Sequence, residues 1–171
     1  MRVLLISILA AVLPVSQSHQ EPRPAPEMQR LAGFLLGNWS TSEKHEPGDI
    51  APKGGLGRGS DKVRLGPGGM SLISNYESID PSGKFLAHIV IWWDAKAQAY
   101  RGVECHNRSA AGCEIGLWRW EGNDLVSEEE GVREAFTNFT PTSHTFYMEA
   151  STDSGPMRRI MTISYTKTGG N

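Results

Sequence analysis

Several signals that would name a function directly are missing from this chain. No basic stripe runs through it: lysine and arginine number 17 against 19 aspartates and glutamates, for a formal net charge of −2. Arg158-Arg159 is only a pair, so the electrostatic footprint of a nucleic-acid binder is absent. There are two cysteines and no Cys-x-x-Cys motif, which removes the usual thiolate metal sites. No Gly-Lys-Ser/Thr follows the glycine-rich stretch Lys53 to Gly59, so the phosphate-loop and dinucleotide patterns both fail. No Gly-x-Ser-x-Gly elbow marks a hydrolase serine. Beyond the first residues no apolar run approaches the roughly 20 residues that a membrane helix needs, and no strong helical stripe follows the opening segment of the domain.

The amino terminus reads as a secretory signal. Arg2 precedes the apolar run Val3 to Val15, and Ser16-Gln17-Ser18 puts small residues at the −3 and −1 positions of a cleavage site. Residues 1–18 are therefore expected to be removed. No cysteine follows to make a lipoprotein anchor, and the expected location is secreted or periplasmic. Residues 19–27, with Glu21-Pro-Arg-Pro-Ala-Pro-Glu27, read as an extended linker, which leaves 28–171 as the domain. In an oxidising compartment Cys105 and Cys113 are close enough to bridge the neck of a hairpin, a closure contributing up to about 3 kcal/mol. A metal site from Cys105, His106 and Cys113 is the weaker alternative, because adjacent strand residues point to opposite faces. Three sequons, at Asn38, Asn107 and Asn138, matter only if the source glycosylates its exports.

The rest of the chain alternates with period two and is punctuated by turn residues. Strands are expected at Ser40–His45, Ser60–Leu65, Met70–Ile79, Phe85–Trp93, Tyr100–His106, Glu114–Glu121, Leu125–Glu130, Val132–Phe139, His144–Ala150 and Arg158–Lys167. Pro47 to Gly69 reads as a long mobile loop around its one short strand, lying at a barrel rim as a lid. Phe85 to Trp93 is apolar on both faces, so it is either covered on both sides or lines a cavity. The fold expected is all-β: a single antiparallel barrel of about nine to ten strands after a short N-terminal helical turn. Gly37 and Trp39 are its structural opening, with Trp39 plugging one end. The simpler reading of Trp39 is an ordinary core tryptophan.

Leu35-Leu36-Gly37-Asn38-Trp39 and Trp93-Asp-Ala-Lys-Ala-Gln-Ala-Tyr100-Arg-Gly102 are similar to motifs of a lipocalin-like (calycin-type) family of exported bacterial proteins without an agreed activity. His144 to Ala150, Asp153-Ser-Gly-Pro156 and Met161 to Lys167 look like that family's closing hairpin. The resemblance spans roughly residues 28–167 and implies a fold with little chemistry. Cys105, Cys113 and the glycine-rich insertion depart from the pattern. A remoter likeness is to nitrobindin-type barrels, which share the opening Leu-Gly-x-Trp and bind haem.

The leading functional expectation is binding of a small apolar molecule without catalysis. Tyr76, His88, Trp92, Trp118, Arg119 and Tyr147 are its candidate ligand-binding residues, chosen by alternation. No cofactor, nucleic acid or metal is expected. Two other readings stay open. One is a haem protein or enzyme using His88 or His144 as a cavity histidine. The other is a ligand-free interaction module with a filled barrel.

Overall fold

A computed structural model describes residues 22–48, 51–129, 131–151 and 155–169. The expected signal peptide at 1–18 lies outside the described residues. Helix α1 spans Pro26–Leu35. Proline at its first position suits a site whose N–H has no helical partner, and the helix takes in Pro26 and Glu27, the last two residues read as linker. Met28, Leu31 and Leu35 recur at helical spacing and are all buried. They pack on Leu72, Ile91, Tyr100 and Leu125.

Ten strands follow: β1 (Gly37–His45), β2 (Gly55–Leu65), β3 (Ser71–Asp80), β4 (Gly83–Asp94), β5 (Ala99–His106), β6 (Glu114–Glu121), β7 (Asp124–Glu129), β8 (Val132–Thr137), β9 (Ser143–Ala150) and β10 (Arg158–Gly169). Each pairs antiparallel with its sequence neighbour, and β1 pairs with β10 to close the barrel. The expected all-β barrel with a short N-terminal helix is therefore the fold, and closure leaves no free sheet edge. Cys105 and Cys113 form a disulfide across the β5–β6 hairpin. Among the described residues no helix is long and apolar enough to cross a membrane.

One expectation is corrected. Much of the glycine-rich stretch is not a loop: Gly55–Leu65 is a strand of 11 residues, paired in register with β1 from Gly37↔Val63 to His45↔Gly55. Its glycines make room rather than supply mobility. A Cβ at Gly59 would lie 2.2 Å from the carbonyl oxygen of Glu77 and 2.6 Å from Cβ of Ser78. A strand glycine often marks such a close approach of another chain segment.

Candidate functional site

The barrel has two unlike ends. At the α1 end Trp39 is 1% exposed, and its indole N–H donates to Leu35 O at 2.9 Å. Tyr100 donates to Glu27 O at 2.9 Å and accepts from the Trp120 indole at 3.0 Å. The large rings therefore bury their apolar bodies while their polar tips stay paired. Phe34 sits 4.8 Å from Phe139 and 5.6 Å from Trp120, centroid to centroid. His144 is stacked on Tyr165 at 4.3 Å and meets Trp39 edge-on at 4.5 Å. Phe136 and Phe139 are its other ring neighbours. Among the described residues its Nδ1 is buried without a hydrogen bond, and burial pushes the imidazole down to about 3. Lys167 is the cation over Trp39, at 5.4 Å.

At the opposite end the inward face turns polar. On one wall β1 and β3 bring together Glu43, His45, Tyr76, Ser78 and Asp80. Tyr76 donates to Glu43 Oε1 at 2.5 Å, and His45 Nε2 lies 2.8 Å from Glu43 Oε2. Burial and the neighbouring Glu43 carboxylate raise the Tyr76 phenol far above its ordinary range. Arg108, in the disulfide-closed loop, reaches across to hold both carboxylate oxygens of Asp80 at 2.7 and 2.9 Å. Nearer the middle of the barrel, Asp61 is pushed up to about 6 by burial, although Ser74 donates to it at 2.5 Å.

The other wall carries Glu104, Glu114, Glu129 and Glu134. The registers Glu104↔Glu114, Ser127↔Glu134 and Glu129↔Val132 put these four on the same face as Trp118 and Phe136. Burial, then repulsion from Glu104, Glu129 and Glu114, pushes Glu134 up to about 7. Burial also raises Glu104. Between these walls Phe85, Ile89, Met148 and Met161 face inward yet stay only partly buried, as does Trp118.

The registers place the six candidate residues unequally. Tyr76 pairs with Ala87 on the buried inner face of β3 and β4, and Trp118 faces Tyr100 and Ser127 inside. His88, Trp92, Arg119 and Tyr147 fall on the alternate, outward positions. His88 is exposed and lies 2.8 Å from the Asn75 side chain. Tyr147 lies under the Arg159 guanidinium at 3.6 Å. Glu43, His45, Asp80, Glu104 and Glu134 were not among the candidates. The available signal was the alternation Trp39-Thr41-Glu43-His45, which puts two ionisable groups on the face of the end-plugging tryptophan.

Similarity to solved structures supports the barrel. The crystal structure of Rv2717c from M. tuberculosis matches with a TM-score of 0.61 at 11% identity, covering 85% of this chain and 99% of that one. At that identity the likeness shows the fold alone. No protein-family model matches the chain, and no curated protein matches its sequence.

Proposed function

We propose that the protein is an exported carrier that takes a small molecule with an apolar body into the open half of its barrel and releases it unchanged. The observation behind this reading is that Phe85, Ile89, Met148 and Met161 point inward but remain partly exposed. A filled core would bury such side chains completely. A barrel of ten strands is wide enough to admit a small ligand between its walls. Trp118 lies where the open half meets the packed end. The disulfide suits an oxidising compartment, in line with the signal read at residues 1–18.

The acidic lining refines the ligand class. A carboxylate head would meet Glu104, Glu114, Glu129 and Glu134, whereas a neutral or cationic head would not be repelled. The haem alternative has less support, since the ring neighbours of His144 are aromatic residues on several sides and His88 lies outside the barrel. The family-level resemblance to calycin-type exported proteins adds to the carrier reading through its barrel alone.

The test compares dodecanol, dodecylamine and dodecanoate, which share one chain and differ in head charge. Binding is followed by tryptophan quenching and by native mass spectrometry of protein from its own host. The first two should bind, dodecanoate should bind least at pH 8, and Trp118→Phe should lose most of the quench. No uptake of any of the three at millimolar concentration, with a clean mass from the host, defeats the carrier reading.

A further inference from the structure

We infer that Glu43, His45 and Asp80 form a binding site for a first-row divalent cation, zinc or manganese in kind, on the β1–β3 wall of the open half. The inference does not rest on the carrier reading.

One donor atom from each of the three residues lies within 4.8 Å of the others. Glu43 and His45 are 2% and 5% exposed, and the Asp80 side chain is 5% exposed. The two acids come from strands that are not neighbours, and β2 between them gives way. Gly57 stands at that point, where a Cβ would lie 2.6 Å from Glu43 Oε2 and 3.1 Å from Asp80 Cα and Cβ. Any side chain there would fill the space between the carboxylates.

A hydrogen-bond network alone accounts for part of this arrangement, since Glu43 already takes Tyr76 and His45 as partners. It does not account for Ser78. That residue is 4% exposed and sits on the same inward face of β3, between Tyr76 and Asp80. Its hydroxyl lies near enough to the Tyr76 phenol to act as a hydrogen-bonding neighbour, but no hydrogen bond of good geometry reaches it among the described residues. A buried hydroxyl without a partner is costly, and a cation held by the three residues beside it would give its oxygen one.

One imidazole nitrogen with carboxylate and hydroxyl oxygens favours zinc or manganese over calcium, which takes oxygen alone, and over copper(I), which wants thiolate. Zinc bonds of about 2.0–2.1 Å in a tetrahedron need donors roughly 3.3 Å apart. His45 Nε2 and Glu43 Oε2, at 2.8 Å, need to separate only slightly. Tyr76, donating to Glu43 Oε1, orients that carboxylate from outside the donor set, as outer partners of metal ligands do. Arg108 is the competing cation: it holds both oxygens of Asp80, so a bound ion must share that carboxylate with it.

The experiment uses untagged, disulfide-bonded protein stripped with chelator, titrated with zinc by calorimetry and with cobalt(II) by absorbance. One ion should bind per chain, and the cobalt form should shift an imidazole proton resonance. His45→Gln should weaken binding more than about 100-fold, beyond the 10–100-fold typical of outer-shell changes. Ser78→Ala should weaken it several-fold, and Arg108→Gln should tighten it. The proposal fails if the wild-type chain takes up neither ion at millimolar concentration. It also fails if folded His45→Gln binds like wild type, or if Arg108→Gln binds no more tightly. Should His45→Gln not fold, the Arg108→Gln gain and the shifted imidazole resonance decide the question.

Discussion

The two ends of this barrel are made from the same ten strands and the same alternation, yet they are opposite in chemistry. At the α1 end the inward side chains are large, aromatic and buried, and the polar tips of Trp39, Tyr100 and Trp120 are all paired. At the far end the inward positions hold carboxylates, a histidine and half-buried apolar groups. The lesson is one of division along the strand axis: stability is concentrated at one end, so the other can carry charge and exposed apolar surface. Burying a carboxylate is unfavourable without a partner, and a barrel can host several only if its core lies elsewhere.

The largest expected effect tests that division directly. Trp39→Ala removes a fully buried ring and its hydrogen bond and should cost about 4 kcal/mol, in the range seen for large aromatic truncations. Phe85→Ala, at a half-buried position of the open end, should cost only about 1–2 kcal/mol. Urea unfolding of both variants checks the ratio. Equal losses would mean that the open end is as much core as the closed one.

Titration sharpens the contrast, because the two ends respond to pH with opposite sign. His144 stays neutral in the fold down to about 3, while an unfolded histidine protonates below about 6.5. Its stabilisation is therefore lost as pH falls through that window, by up to about 3 kcal/mol at pH 4. His144→Phe should unfold less readily than wild type at pH 4 relative to pH 7.

Glu134 behaves the other way. Its folded carboxyl is raised to about 7, so the fold holds the proton more tightly than the unfolded chain. Stability is full below the unfolded value near 4.5 and declines as pH rises through 7. Allowing for its partial exposure, the loss by pH 8 is about 1–2 kcal/mol. Asp61, raised to about 6, adds in the same direction. The groups facing Glu134 are Glu104, Glu114 and Glu129, so Glu134→Gln should flatten the alkaline side of the stability profile. Thermal melts from pH 5 to 8 read it, and an unchanged alkaline slope would count against a charged interior at this end.

Much of the barrel was legible in the sequence, and the unread parts share a cause. Alternation marked about nine to ten strands, although it read the first half of β2 as loop, the Asp80-Pro-Ser-Gly83 turn separated β3 from β4, and the spacing of Cys105 and Cys113 marked a hairpin neck. Alternation divides a strand into two faces without saying which is inside. On β4 both faces are apolar, so Phe85-Ala87-Ile89-Ile91 and Leu86-His88-Val90-Trp92 compete, and only pairing with Leu72 and Tyr76 on β3 resolves them. Two acidic positions were hidden for the converse reason. Glu129, expected at a solvated strand end, is indeed exposed, as is Glu114, whereas Glu104 and Glu134 are half-buried although carboxylates usually face solvent. Nothing local reveals that closure of β1 on β10 turns Glu104 and Glu134 inward.

Glycine gives the smallest and cleanest test of how context decides a residue's meaning. Gly33 lies on the exposed side of α1, where a Cβ would meet nothing within 4 Å. Gly33→Ala should therefore stabilise the closed end by about 0.5–1 kcal/mol, the ordinary helix-propensity gain. Gly59 offers the same composition signal, yet a Cβ there would strike the Glu77 carbonyl at 2.2 Å, closer than any relaxed contact. Backbone cannot step aside as a side-chain tip can, so Gly59→Ala must shift β2 against β3 and should cost about 2 kcal/mol or more. If the two alanines instead changed stability alike in chemical denaturation, β2 would be tolerating a side chain as a loose loop does. Its glycines would then supply flexibility rather than the close packing that brings Glu43 and Asp80 together.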